Sequence, residues 1–157
     1  GASVNVNYTE VMILMQDGTE VPAKLLLKDS DLDLAFVLPI EERKNEFKDI
    51  VFSRVPKQAS EDELPVILDE VVSIGKLRKT LYRQSTLRRG WVNAVIEKPR
   101  TYFVIENTSP GTPVFNSMGN WLGVVVYKMV SGRPSEIVTL PAMDILEIAE
   151  QVRTRTQ

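Results

Sequence analysis

The sequence predicts a mainly β protein that closes with a single helix. Short apolar runs recur along most of the chain, and each is bounded by Gly, Pro, Asn, Asp or Ser, which is typical of strands joined by turns. After Pro141, the apolar residues Ile145, Ile148, Ala149 and Val152 recur at helical spacing. These two patterns predict β-sheets followed by one amphipathic C-terminal helix.

The pattern of the first part of the chain predicts a small group of strands. Apolar residues 11–15 and 21–27 flank an Asp17-Gly18 pair, which predicts two strands joined by a tight turn. Residues 32–40 predict a third strand. Residues 41–70 are rich in Asp and Glu and contain Pro56 and Pro65, so we expect a connecting segment there with one short strand near 50–55.

The second part of the chain reads as a longer series of strands, the pattern expected of a barrel or sandwich. The predicted strands are 66–74, 87–97, 101–106, 114–116, 121–130 and 136–140. Turn residues separate them, most densely at 109–113.

Composition excludes several classes of function. The 157 residues include no cysteine and no histidine, so the chain offers no disulfide, no thiolate nucleophile and no imidazole base or ligand. We therefore expect no metal site and no cofactor. The formal charge of −2 disfavours nucleic acid as a partner, and no apolar run approaches the roughly 20 residues of a membrane span.

Two stretches resemble the trypsin-like serine proteases of the HtrA type. The first is 11–24 with its Asp-Gly turn, followed by Asp33-Leu-Ala-Phe-Val, which is similar to the segment that carries the triad aspartate. The second runs from Val72-Ser-Ile-Gly75 through Gly90-Trp-Val-Asn-Ala-Val-Ile96 to the segment 109–123, which is similar to the loop of the nucleophile and the strands beside it. Their order along the chain carries the resemblance.

The resemblance implies a double β-barrel with a truncated N-terminal barrel. We expect a partial N-terminal lobe at 1–56, a C-terminal barrel at 57–140, and a helix and tail at 141–157. The family's first strands and its histidine would precede Val11, where this chain has ten residues. The opening Gly1-Ala2-Ser3 lacks an initiator Met, so we expect a remnant of a cloning vector.

The resemblance also places each catalytic position of the family. Asp33 matches the triad aspartate, although a turn carboxylate is the alternative reading. Without gaps, Pro110 falls at the serine position, which removes the hydroxyl and one N–H of an oxyanion hole. A slip of one residue makes Ser109 the candidate nucleophile, yet a turn serine is the favoured reading because the chain has no base to activate it. Pro110, Gly111 and Thr112 are the equivalents of the oxyanion loop.

Three further patterns carry chemistry on their own. Ser73 and Lys76 have the spacing of serine–lysine acyl enzymes, but the companion motifs are missing. A calcium-binding loop is suggested by the spacing of Asp29, Asp31 and Asp33, but the later positions do not match the residues that such a loop requires. A basic segment without acidic residues is a candidate anion site, with a solvated loop as the favoured alternative; its cations are Lys76, Arg78, Lys79, Arg83, Arg88 and Arg89.

The sequence thus favours a catalytically inactive protease-fold domain that binds or regulates proteins or peptides. The binding modes expected are strand addition and an interlobe groove, with self-association through the edge of residues 11–15. A serine endopeptidase whose histidine lies outside this chain is the alternative. A generic all-β interaction domain is a third reading. An extracytoplasmic compartment is implied by the resemblance alone.

Overall fold

The computed structural model describes residues 10–155 and divides them into two compact units. The smaller unit contains residues 10–28 and Ala35–Ser53, and the larger contains Asp29–Leu34 and residues 54–155. The first nine residues, where we expect the vector remnant, lie outside the described part of the chain. The division at 1–56, 57–140 and 141–157 stays a prediction.

The smaller unit contains a three-stranded sheet in chain order. Its strands are β1 (Val11–Leu14), β2 (Glu20–Asp29) and β3 (Leu34–Pro39). The first two form the predicted hairpin, with Leu14 opposite Glu20. Gly18 adopts a φ of 89° in the turn, and the Asp17 carboxylate accepts the N–H of Thr19 at 2.9 Å. The Asp-Gly pair therefore closes the turn because glycine tolerates this backbone conformation.

The core of the smaller unit is short. Val21 is fully buried on β2, and Phe47 is buried just after a 3-10 helix at Glu41–Glu46. The strand predicted near 50–55 is wrong, since the described chain there makes no ladder. Val51 is 87% exposed, so its apolar side chain has no core to bury it and no reason to form a buried strand.

The larger unit is a closed six-stranded antiparallel barrel in the order β4-β5-β6-β9-β8-β7. Its strands are β4 (Glu70–Lys76), β5 (Ser85–Ile96), β6 (Tyr102–Ile105), β7 (Pro113–Asn116), β8 (Trp121–Val130) and β9 (Arg133–Pro141). Closure satisfies the backbone groups that an open sheet leaves at its edges. All six predicted strands are found; the strand at 121–130 has the predicted bounds, and the other five have shifted boundaries.

The largest shift is at the start of β4, which begins at Glu70 and not at residue 66. Val66 and Asp69 form a turn in which the carboxylate of Asp69 accepts the N–H of Val66 at 2.9 Å and the Asp69 N–H donates to the Val66 carbonyl at 3.0 Å. Leu68 has a φ of 77° in this turn. The apolar character of residues 66–68 predicted a strand. The turn found there depends on a side-chain contact with Asp69, which the apolar pattern does not reveal.

Two groups of buried side chains fill and cover the barrel. One group lies around Phe103, Leu122 and Val125, and the other around Val138 and Leu140. The helix α1 (Ala142–Arg155) follows β9 directly and packs Ile145 and Ile148 on the second group. The helix predicted from its apolar spacing is confirmed, and it covers the barrel with its apolar face.

Within residues 10–155, no helix has the length and apolar character needed to cross a bilayer.

Candidate functional site

Asp33 lies in a tight turn that connects β2 to β3. The carboxylate of Asp29 accepts the N–H groups of Asp31 at 3.1 Å and Leu32 at 3.0 Å, which folds the chain back on itself. Asp33 itself has a φ of 58°, a conformation that Asp tolerates better than most residues. Leu32 is buried with Val126 and Val138, so the turn is anchored and the Asp33 carboxylate is held in place.

The Asp33 carboxylate binds the backbone of β8. Its Oδ2 accepts the N–H of Tyr127 at 3.0 Å. A triad aspartate instead orients a histidine and stabilises its charged form, and this sequence contains no histidine. In the described structure the carboxylate therefore positions a strand, and the role of a triad member stays a prediction for Asp33.

The loop of the predicted nucleophile is a β-turn at 109–112. The N–H of Thr112 donates to the carbonyl of Ser109 at 3.3 Å, and Gly111 has a φ of 85°. Proline at the second position and a positive-φ glycine at the third are typical of a type II turn. Residues Pro110 and Gly111 thus supply both conformations that the turn requires.

Backbone carbonyls accept the N–H groups of Gly111 and Thr112 in this loop. Gly111 donates to the carbonyl of Val125 at 2.7 Å, and Val125 donates back to the carbonyl of Thr112 at 2.9 Å. Pro110 has no N–H to donate. An oxyanion hole needs two donors that converge on one point, whereas these donors each point at a different carbonyl.

Ser109 faces a cation. Arg88 on β5 donates from Nη1 to the Ser109 Oγ at 3.0 Å. A serine becomes a nucleophile when a neighbouring base takes its proton, and a guanidinium stays protonated and cannot take one. The contact therefore holds Ser109 as a hydrogen-bonding group.

The basic segment does not gather into one cluster. Arg88 contacts Ser109, while its neighbour Arg89 forms an ion pair from Nε to Glu70 Oε1 at 3.0 Å. Adjacent residues of a strand lie on opposite faces of the sheet, so the two guanidinium groups are separated. Lys79 lies in a 3-10 helix at Lys79–Leu81 within the β4–β5 connection. The structure thus divides the predicted anion site between two faces and a loop.

The role of Glu63 was not predicted from the sequence. Its carboxylate accepts the side-chain N–H groups of Asn120 at 2.5 Å and Asn116 at 3.3 Å, as well as the N–H and hydroxyl of Ser60. These hydrogen bonds, with that of Asn120 the strongest, lower the pKa of Glu63 from 4.5 to about 2. The Ser60-x-x-Glu63 spacing of a capping box was the signal for it.

The serine–lysine and calcium patterns also have structural places. Ser73 is buried on β4, and Lys76 ends the same strand. Asp29 and Asp33 bind backbone N–H groups, as described above. Among residues 10–155, no group of three or more Asp, Glu, His or Cys side chains could hold a metal ion.

Comparison with solved structures identifies the architecture. The chain is similar to the HtrA-type protease AlgW with a decapeptide, at a TM-score of 0.66 and 17% identity over 93% of this chain. The chain has the trypsin-like fold. A variant of AlgW with a tripeptide gives a TM-score of 0.63 and 18% identity over 92% of this chain, and one with a decapeptide gives 0.67 and 17% over 95%.

The trypsin-like fold is confirmed, while the individual residue roles stay predictions. This chain spans 45% to 48% of the length of the three solved structures. No family model matches the sequence. No curated protein matches it either. The likeness therefore concerns the backbone architecture.

Proposed function

We propose that this chain is a trypsin-fold domain without catalytic activity that binds an extended peptide along the edge of β8. The observation that carries the proposal is the hydrogen bond from the Tyr127 N–H to the Asp33 carboxylate. It engages the carboxylate that a protease would give to its histidine. It also occupies the Tyr127 N–H, so an added peptide strand would meet the carbonyl of this residue and not its N–H.

The inactive part of the proposal is supported by the residues around Ser109. Pro110 falls at the serine position of the resemblance, and Ser109 accepts a hydrogen bond from Arg88. The sequence holds no histidine that could act as a base. Without a base or converged oxyanion donors, most of the acceleration of a serine protease is lost.

The binding part is supported by the length of β8. This strand runs to Val130 and pairs with β9 from Gly123 to Val130, but β7 pairs with it only as far as Val124. In an antiparallel strand the N–H and C=O of one residue point to the same side. Because the Tyr127 N–H meets Asp33 and not β9, the Tyr127 carbonyl also points away from β9.

This carbonyl is the acceptor that an added peptide strand would need. Strand addition takes its affinity from main-chain hydrogen bonds and its specificity from alternate side chains. Tyr127 and Val130 are 40% and 49% exposed, so apolar surface is available beside the edge. The similar protease structures were solved with a decapeptide or a tripeptide, which agrees with this mode.

Peptide selection followed by NMR tests the binding site. Decapeptides selected from a random display library should shift the amide signals of Tyr127 to Val130. N-methylation of alternate peptide residues should abolish binding in one register, because it removes the donors that meet β8. N-methylation in the other register is the matched control. Selected peptides that bind elsewhere, or that tolerate both patterns, would overturn strand addition.

A covalent probe tests the catalytic part. A fluorophosphonate should leave Ser109 unlabelled, because no base activates that hydroxyl. Stoichiometric labelling of Ser109 in this chain would overturn the inactive domain. Labelling only when a segment with a histidine is supplied would instead favour the endopeptidase whose histidine lies outside this chain. The same probe on an active serine protease is the positive control.

A further inference from the structure

A small cavity lies beside the 109–112 turn, where it meets β4 and β5. Its volume is about 60 Å³, enough for a few non-hydrogen atoms. Hydroxyl-bearing and cationic residues line it together with Gly75 and Leu77, and among residues 10–155 no carboxylate does. The polar lining residues are Ser73, Lys76, Thr86, Arg88, Ser109 and Thr112.

The cavity exists because β4 carries a glycine at this point. A Cβ on Gly75 would lie 3.0 Å from the Thr86 Oγ1 and 3.4 Å from the Thr112 Cγ2. The φ of Gly75 is outside the left-handed region, so its backbone conformation does not require glycine. Glycine inside a strand weakens it and often marks a place where another group approaches closely.

The hydrogen bonds around the cavity leave donors available. Arg88 uses one of its five N–H donors on the Ser109 Oγ, and Ser109 accepts that bond, so its own hydroxyl proton can go elsewhere. Thr112 differs, because its hydroxyl donates to the Ser109 carbonyl at 2.7 Å. Arg88 and Ser109 are therefore the pair best arranged to meet an anion.

We propose that this cavity binds a tetrahedral oxyanion, either inorganic phosphate or a phosphate monoester. The charge of Arg88 selects an anion, and no carboxylate among the described residues lines the cavity to compete for the guanidinium. Hydroxyls of Ser73, Thr86 and Ser109 can each donate to a different oxygen of a tetrahedral group. This site does not depend on peptide binding at β8.

An NMR titration with sodium phosphate tests the site directly. The amide signals of Gly75, Thr86 and Thr112 should shift and saturate, with a dissociation constant on the order of millimolar because Arg88 is exposed to solvent. Sodium chloride at the same ionic strength should leave these signals in place. Shifts that fail to saturate, or that chloride reproduces, would overturn the proposal.

Two variants separate the cavity from a general charge effect. Arg88→Ala should weaken phosphate binding about tenfold or more, since it removes the bidentate donor. Arg83→Ala removes the same charge from the same β4–β5 region but outside the cavity, and should change the affinity by less than about twofold. Equal losses in both variants would show diffuse attraction and sink the proposal.

Gly75→Ala provides a test that leaves every charge in place. The added methyl group should fill the space between the two threonines and abolish the saturable shifts, while the dispersion of the remaining signals shows that the barrel is intact. Unchanged phosphate affinity in this folded variant would contradict the proposed site.

The source of the anion is distinguished by O-phosphoserine, with serine as its control. Saturable shifts with both phosphate and O-phosphoserine would support the site and assign it to esterified phosphate. Shifts with phosphate alone would support it as a site for the free anion. Absence of shifts with either compound would overturn it.

Discussion

The two units of the chain treat similar apolar strands differently. In the three-stranded sheet, Met12 and Leu14 on β1 remain 36% and 38% exposed, and in the barrel Phe103 and Leu140 are at most 1% exposed. An open sheet has two free edges and covers only a small core. A closed barrel surrounds its inner side chains with strands on all sides. Topology, more than the composition of a strand, therefore decides how much surface each side chain buries.

The candidate functional residues belong to the closed unit. Ser109, Arg88 and Tyr127 lie on or beside barrel strands, and the turn with Asp33 clusters with the barrel although it connects two strands of the sheet. A closed barrel holds its loops on a rigid frame. Such a frame can maintain precise hydrogen bonds, such as that from the Tyr127 N–H to the Asp33 carboxylate.

The largest expected effect contrasts a buried and an exposed leucine. Leu140→Ala should lower the free energy of unfolding by about 4 kcal/mol, because it leaves a cavity in the barrel. Leu25→Ala makes the same chemical change on β2, where the side chain is 49% exposed, and should lower it by less than about 1 kcal/mol. Urea denaturation followed by circular dichroism measures the free energy of unfolding of each variant. Similar losses in the two variants would contradict the difference in burial between the two units.

Two glycines, one in each unit, extend the comparison of the two units to the backbone. A Cβ on Gly123 would overlap the carbonyl oxygen of Leu140 on the neighbouring strand, so Gly123→Ala should lower the free energy of unfolding by about 3 kcal/mol. Gly18 has open space around it and a φ of 89°, so Gly18→Ala should lower it by about 1 kcal/mol through backbone strain alone. Thermal denaturation would rank the two, and the reverse order would contradict the packing argument.

The pH dependence of stability should reveal the Glu63 contacts. Because folding lowers the pKa of Glu63 from 4.5 to about 2, its contribution is complete above about pH 4.5 and is lost as the pH falls toward 2. Glu63→Gln should therefore lose less thermal stability than the wild type between pH 5 and about 2.5. Glu61→Gln removes a charge from the same 3-10 helix and is the matched control. A wild-type profile retained in Glu63→Gln would contradict the assignment.

The smallest effect on stability, and the most informative about the open sheet, concerns association. We expect the wild type to associate as its concentration rises, because β1 is the outermost described strand of the sheet and carries no charge or proline that would discourage pairing. Ile13→Lys should reduce this association in light scattering across a concentration series. A monomeric wild type, unaffected by the substitution, would show that the edge of β1 does not pair with other molecules.

The local features of the fold were predictable because they depend on nearby residues. The Asp17-Gly18 hairpin, the turn at Pro110-Gly111 and the helix after Pro141 each follow from backbone preferences that neighbours in sequence determine. The start of β4 was predicted wrongly although its turn is also local, because the apolar run 66–68 indicated a strand and the contact between the Val66 N–H and the Asp69 carboxylate was not considered.

The sequence alone determined which chemical groups are available to the site. It contains no histidine, and it places a proline beside Ser109. Only the tertiary structure decided which groups meet: Asp33 binds Tyr127, 94 residues away, and Arg88 binds Ser109, 21 residues away. The physical reason is that barrel closure and strand register set these distances, and both depend on pairings between strands far apart in the chain.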